Sequence, residues 1–154
     1  MTHILISSRH ADTRTICDRI HDRLVKTFGE DNVAQDVFDI AIEMDFRSAI
    51  REAVARCDVL LVLIGPQWVT ITSSNGKRRL TNPADFVRME VERGLQRANC
   101  AVIPVLVGGA SMPGPDDLPD TLRELAYRDV VEVRDDPEFC ADMNHLVKEL
   151  RKPD

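Results

Sequence analysis

Six consecutive apolar residues, Val59-Leu60-Leu61-Val62-Leu63-Ile64, stand between Asp58 and Gly65-Pro66. A strand with one wet face alternates polar and apolar side chains; this one does not, so both its faces are expected to be buried. Such a strand belongs near the middle of a mostly parallel sheet covered by helices on both sides. The other apolar positions fit around it. Ile4-Leu5-Ile6 reads as a short first strand, and Asp12 or Thr13 is placed to cap a helix. That helix repeats Ile16, Ile20, Leu24 and Phe28 at steps of four and stops at Gly29. Val33 to Val37 is a weaker second strand, and Asp45 can cap a helix that turns Phe46, Ile50, Ala53 and Val54 inward.

After the central strand comes a polar connection, residues 67–84, with its tip at Ser73 to Arg79. A connection of that length is uncommon in a compact domain and is often functional. Pro83 and Asp85 then start a helix with Val87, Val91, Leu95 and Ala98 toward the core. Ala101 to Val107 is a fourth strand, and Pro104 within it predicts a place near one edge of the sheet. A short helix over Leu118–Ala126, a small strand at Val130–Val133 and an amphipathic helix over Pro137–Leu150 complete the pattern. The alternation of strand and helix predicts an α/β fold with five parallel strands, right-handed crossovers and flavodoxin-like order 2-1-3-4-5. Residues 1–151 are expected to form a single domain, with 152–154 frayed. Ligands of such sheets gather outside the carboxyl ends of the strands, here around Gly65.

Composition narrows the chemistry. The chain has 154 residues, 44% hydrophobic and 30% charged, with a formal charge of −6. An acidic domain without a basic patch is a poor candidate for general nucleic-acid or anionic-membrane binding. No apolar run approaches the ~20 residues that span a bilayer. Cys17, Cys57, Cys100 and Cys140 are scattered and the four histidines dispersed, so metal-ligand spacing is missing. Free thiols point to a reducing, cytoplasmic setting. The seven glycines form neither G-x-G-x-x-G nor G-x-x-x-x-G-K-[ST], which argues against a dinucleotide-binding Rossmann enzyme or an NTPase. A G-x-S-x-G elbow is lacking too. Ile64-Gly65-Pro66 leaves no acidic acceptor where a phosphorelay receiver needs one.

Five stretches together resemble a Toll/interleukin-1 receptor (TIR) domain of the bacterial type. Ile4-Leu5-Ile6-Ser7-Ser8-Arg9-His10-Ala11-Asp12 is similar to the family's opening F-I-S-Y-R-x-x-D, and Gln35 to Ile40 followed by Asp45-Phe46 falls at its second strand and BB loop. Cys57 to Trp68 resembles the third strand and its exit. Asp85-Phe86-Val87-Arg88-Met89-Glu90-Val91 resembles the helix D-[FW]-V-x-x-E-[IV], and Val102-Ile103-Pro104-Val105 the fourth strand. Two departures stand out. Ser8 replaces the aromatic residue before Arg9, and Ala41-Ile42-Glu43-Met44 replaces the Pro and Gly of the BB loop. Ile40, Ile42 and Met44 would then form an exposed apolar patch, expected to mediate self-association.

The resemblance implies either cleavage of NAD or scaffolding by homotypic TIR contacts, in bacterial immune or stress signalling such as antiphage defence. In the catalytic branch the helical Glu is essential, and here that is Glu90. The substrate-binding side would hold Ser8, Arg9, Phe38, Asp39, Trp68 and Phe86, with NAD as substrate and neither metal nor cofactor. One carboxylate is chemically coherent: nicotinamide leaves already cationic, so no acid need protonate it, and the carboxylate offsets charge on the oxocarbenium-like ribose. Phe86 and Trp68 can stack on rings and Arg9 can meet a phosphate oxygen. The plain alternative is that Glu90 forms a solvated i,i+3 pair with Arg93, Trp68 packs in the interior and Arg9 is a surface charge. A sensor or effector partner outside the chain is expected in either branch. A more distant third reading is a nucleoside deoxyribosyltransferase-like enzyme, which shares the architecture and a helical Glu.

Overall fold

A computed structural model describes residues 2–35 and 46–151. Its sheet has five parallel strands: β1 (Ile4–Ser7), β2 (Val33–Gln35), β3 (Val59–Ile64), β4 (Ala101–Leu106) and β5 (Val131–Glu132). They lie in the order β2-β1-β3-β4-β5, the expected flavodoxin-like arrangement with β3 at the centre. All six residues of β3 are buried. Its side chains alternate between two cores. Val59, Leu61 and Leu63 meet α1 (His10–Phe28) and α4 (Phe139–Arg151), while Leu60, Val62 and Ile64 meet α2 (Phe46–Arg56) and α3 (Phe86–Gln96).

Pro104 sits in the strand next to the edge. The N–H of Val107 bonds Ile64 on β3, whereas the carbonyl of Leu106 accepts from Val133 on the other side. Alternation along the strand therefore turns the nitrogen of Pro104 toward the β5 side, where β5 begins only opposite Val105. The missing donor costs the ladder nothing.

Four boundaries differ from the sequence reading. Helix α1 begins at His10, ahead of the caps expected at Asp12 or Thr13. Thr13 instead marks a kink (φ −136, ψ 21), and its hydroxyl donates to the carbonyl of Arg9 at 3.1 Å. Helix α3 stops at Gln96, which leaves Ala98 exposed beyond it. The segment Asp120–Tyr127 is a 3₁₀ helix, not an α-helix. With three residues per turn, Leu122 and Leu125 eclipse one another and both point inward. The final helix starts at Phe139, after Pro137. The long 67–84 connection contains a small hairpin, closed by an antiparallel bridge between Thr72 and Arg78 with Gly76 (φ 79) at its tip. The expected strand end at Val37 and the cap at Asp45 lie outside the described residues.

Candidate active site

Two side-chain links bolt the carboxyl end of β1 to the start of α3. Asp85 is the N-cap of α3 and accepts from the Arg88 N–H at 3.0 Å. The same carboxylate takes both terminal nitrogens of Arg9, each at 2.7 Å, in a bidentate pair whose side chains are 3% and 9% exposed. Ser7, the last residue of β1, donates from its hydroxyl to Glu90 Oε1 at 3.1 Å. Arg9 and Ser7 thus engage successive turns of one helix.

Glu90 is 6% exposed. It occupies the second position in the series Val87, Glu90, Val91, Gly94, all buried, which follows the i, i+3, i+4, i+7 spacing of a core-facing stripe. A carboxylate therefore stands where an apolar residue is ordinarily found, buried rather than solvated. Gly94 sets the depth. A Cβ there would lie 2.6 Å from Leu60 Cδ2 and 3.2 Å from Val102 Cγ2, so α3 rests directly on β3 and β4. That close approach, one turn after Glu90, carries the carboxylate down onto the strand ends.

The other expected site residues fare differently. Phe86 is half-buried at the first position of α3 and packs against the core beneath the helix. Ser8 is half-buried and its hydroxyl bonds Cys17 Sγ at 3.4 Å. Arg9 is not placed as a free phosphate ligand, because both its terminal nitrogens are held by Asp85. Trp68 offers no stacking face: it is fully buried in the core formed with α2 and α3. Its amide closes a turn on the Gly65 carbonyl, which draws the ring under the strand end. Phe38, Asp39 and the Ile40–Met44 patch lie outside the described residues.

Ser7 and Asp85 were missed as site residues. Ser7 is visible as a polar residue ending a buried strand, and Asp85 only as the start of the helix and the first residue of the D-[FW]-V-x-x-E resemblance. Beyond the rim of β3 and β4 lies a hollow of about 460 Å³, lined among others by Gly65, Pro66, Thr70, Arg78 and Gly109; Glu90 is not part of its wall. Among the described residues no group of three or more His, Cys, Asp or Glu is arranged to hold a metal. No helix among them is long and apolar enough to cross a membrane.

A doubly wound α/β domain with a buried glutamate at the carboxyl rim of its sheet is the class that fold and site define. The model of the TIR domain family matches residues 4–147, and the chain belongs to that family. No curated protein matches it. Among solved structures, the TIR domains of the activated Roq1 resistosome, which directly recognises the pathogen effector XopQ, align with a TM-score of 0.69 at 12% identity. That alignment covers 97% of this chain and 99% of the other. A metazoan TIR-STING receptor from C. gigas, in complex with 2′,3′-cGAMP, aligns with a TM-score of 0.65 at 20% identity. There the match takes in 99% of this chain but 40% of the receptor's. At these identities the likeness is one of fold.

Proposed function

We propose that this TIR domain cleaves the bond between nicotinamide and ribose in NAD, with Glu90 as the catalytic carboxylate. The observation that carries this reading is a carboxylate 6% exposed, on the sheet-facing side of α3, tied to the last residue of β1. Nicotinamide departs with the bonding electron pair and becomes neutral, so the reaction needs no proton donor at the leaving group. The ribose left behind carries positive charge at C1′. A fixed carboxylate in a poorly hydrated setting stabilises that charge more than water does. Water or a hydroxyl of the same nucleotide then attacks C1′, loses its proton, and yields linear or cyclic ADP-ribose. Ser7 holds one carboxylate oxygen, and the Arg9–Asp85 pair fixes the helix on which Glu90 stands. Phe86, four residues before Glu90 on the same helix, is the ring nearest in sequence to the carboxylate.

Activity would depend on self-assembly, for which Ile40–Met44 is the proposed contact. The occurrence of TIR domains in an activated resistosome supports an assembled working form. We place the domain in cytoplasmic immune or stress signalling, with a sensor or effector partner supplied from outside the chain. The test is nicotinamide release from NAD at high protein concentration, followed by chromatography. Glu90→Gln should lower release by at least about 100-fold, the scale of losing one preorganised electrostatic group, with an unchanged circular dichroism spectrum. Release by Glu90→Gln at the parental rate would move the chemistry elsewhere. No release from assembled parental protein would leave the interaction module as the function.

A further inference from the structure

The opposite end of the sheet holds a second chemical feature. Val59 pairs with Ala101, and the Ala101 N–H donates to the carbonyl of Asp58 at 2.9 Å, so the β3–β4 ladder continues back toward Cys57 and Cys100. Their sulfurs lie 3.7 Å apart. Both thiols are free and buried, at 4% and 5% exposure. A disulfide needs about 2.05 Å between sulfurs, so the two sulfurs, already at 3.7 Å, have less than about 2 Å to close.

The surroundings make the two sulfurs unequal. Either sulfur can donate in their mutual contact, and the Cys57 thiol also reaches the Val54 carbonyl at 3.2 Å. That contact and burial push the Cys57 thiol above the ordinary range, whereas the contact and the nearby Arg97 guanidinium hold the Cys100 thiol below its ordinary value against the opposing effect of burial. Arg97 itself is fixed on the carbonyls of Val54 and Cys57. A hollow of about 400 Å³, lined by His3, Ala53, Arg56 and Cys57 among others, opens on the Cys57 side of the pair; Cys100 is not part of its wall. The remaining cysteines contrast with this one. Cys17 is engaged by Ser8 and Gln35, and Cys140 is exposed on α4.

We propose that Cys57 and Cys100 are a two-electron redox pair, oxidised by hydrogen peroxide to an intramolecular disulfide. The Cys100 thiolate attacks one peroxide oxygen, the O–O bond breaks, and the departing hydroxide takes a proton to leave as water. The Cys57 sulfur, losing its proton, then attacks the resulting sulfenic sulfur; the S–O bond breaks and a second water departs. Two electrons pass from the two thiols to the peroxide, and a dithiol reductant reverses the change. The bridge closes a loop containing β3 and α3, and joins the strands at the end remote from Glu90. It restricts the unfolded chain and so stabilises the fold.

The test uses the whole chain, with Cys140→Ser to remove the exposed thiol, and hydrogen peroxide as oxidant. After treatment the protein is denatured, alkylated, digested and read by mass spectrometry. Cys57 and Cys100 should lose alkylation together and appear as one cross-linked peptide pair. The urea midpoint should rise, and dithiothreitol should reverse both changes. Continued alkylation of both cysteines, or their separate conversion to sulfinic acids without a cross-link, overturns the pairing. None of these readouts involves NAD, so the result is independent of the proposed catalysis.

Discussion

Asp85→Asn isolates the buried ion pair that anchors α3. The substitution keeps a side-chain oxygen for the Arg88 N–H and removes only the charge opposite Arg9. With Arg9 3% exposed, its guanidinium has no route to bulk water. Removing one member of a buried pair costs about 3–5 kcal/mol because the other charge is stranded. The amide oxygen still accepts from one guanidinium nitrogen and returns about 1 kcal/mol, so the expected loss is about 2–4 kcal/mol. For a domain of about 5–15 kcal/mol total stability this is a large fraction. Urea titration followed by circular dichroism measures it, as a lower midpoint with an unchanged slope. Arg9→Met added to Asp85→Asn removes the stranded charge, and the double variant should be more stable than Asp85→Asn alone. A loss below about 0.5 kcal/mol for Asp85→Asn, within the ordinary range of surface changes, or a double variant less stable than the single one, refutes the reasoning.

Three other outcomes follow from particular contacts. Gly94→Ala gains about 1 kcal/mol of helix propensity but drives a methyl into Leu60 and Val102, an overpacking worth about 1–3 kcal/mol. A melting temperature lower by about 2–4 °C is expected, and a rise would show that α3 stands off the sheet. Trp68→Phe trims a fully buried ring whose indole nitrogen has no hydrogen-bond partner among the described residues. It should destabilise by less than the about 3–5 kcal/mol of an aromatic-to-Ala change and, under the proposed NAD cleavage, leave the KM for NAD unaltered; a raised KM at parental stability would restore the stacking role. The Arg134 guanidinium holds the Asp142 carboxyl below its ordinary value of 3.8, so the pair stabilises the fold above that pH and the contribution disappears as pH falls through the lowered value. Arg134→Ala should therefore lower the melting temperature more at pH 7 than in acid below the ordinary carboxylate range; an equal loss at both would assign Arg134 a packing role.

Much of the architecture was legible because the decisive signals are local. The unbroken run at β3, the four-residue steps of α1 and the Asp85 cap each declare themselves within one turn or strand, and the order of elements followed. Kinks and helix type were not legible. Thr13 departs from the helix through a bond to the Arg9 carbonyl that no propensity encodes, and the 3₁₀ winding of Asp120–Tyr127 shares its apolar residues with an α-helical reading. In the site, Glu90 was found through its motif, although Val87-x-x-Glu90-Val91-x-x-Gly94 already marked it as inward-facing. Arg9 and Trp68 are expected at the substrate from residue type, and both are held by contacts distant in sequence: a carboxylate 76 residues away and a core drawn from β1, α2, β3, α3 and β4 among others. Ser7 belongs to the same kind, since nothing near it in sequence announces a partner 83 positions on.

Strand β3 acts as a partition wall. Leu60 and Leu61 are joined by a single peptide bond, yet they answer to different tenants, one to α2 and α3, the other to the pair formed by the first and last helices. Volume changes made on either side of the wall share no neighbours, so their effects should sum rather than interfere. The core beneath the glutamate can then be repacked while the opposite core, with its own closed fit, keeps the domain folded.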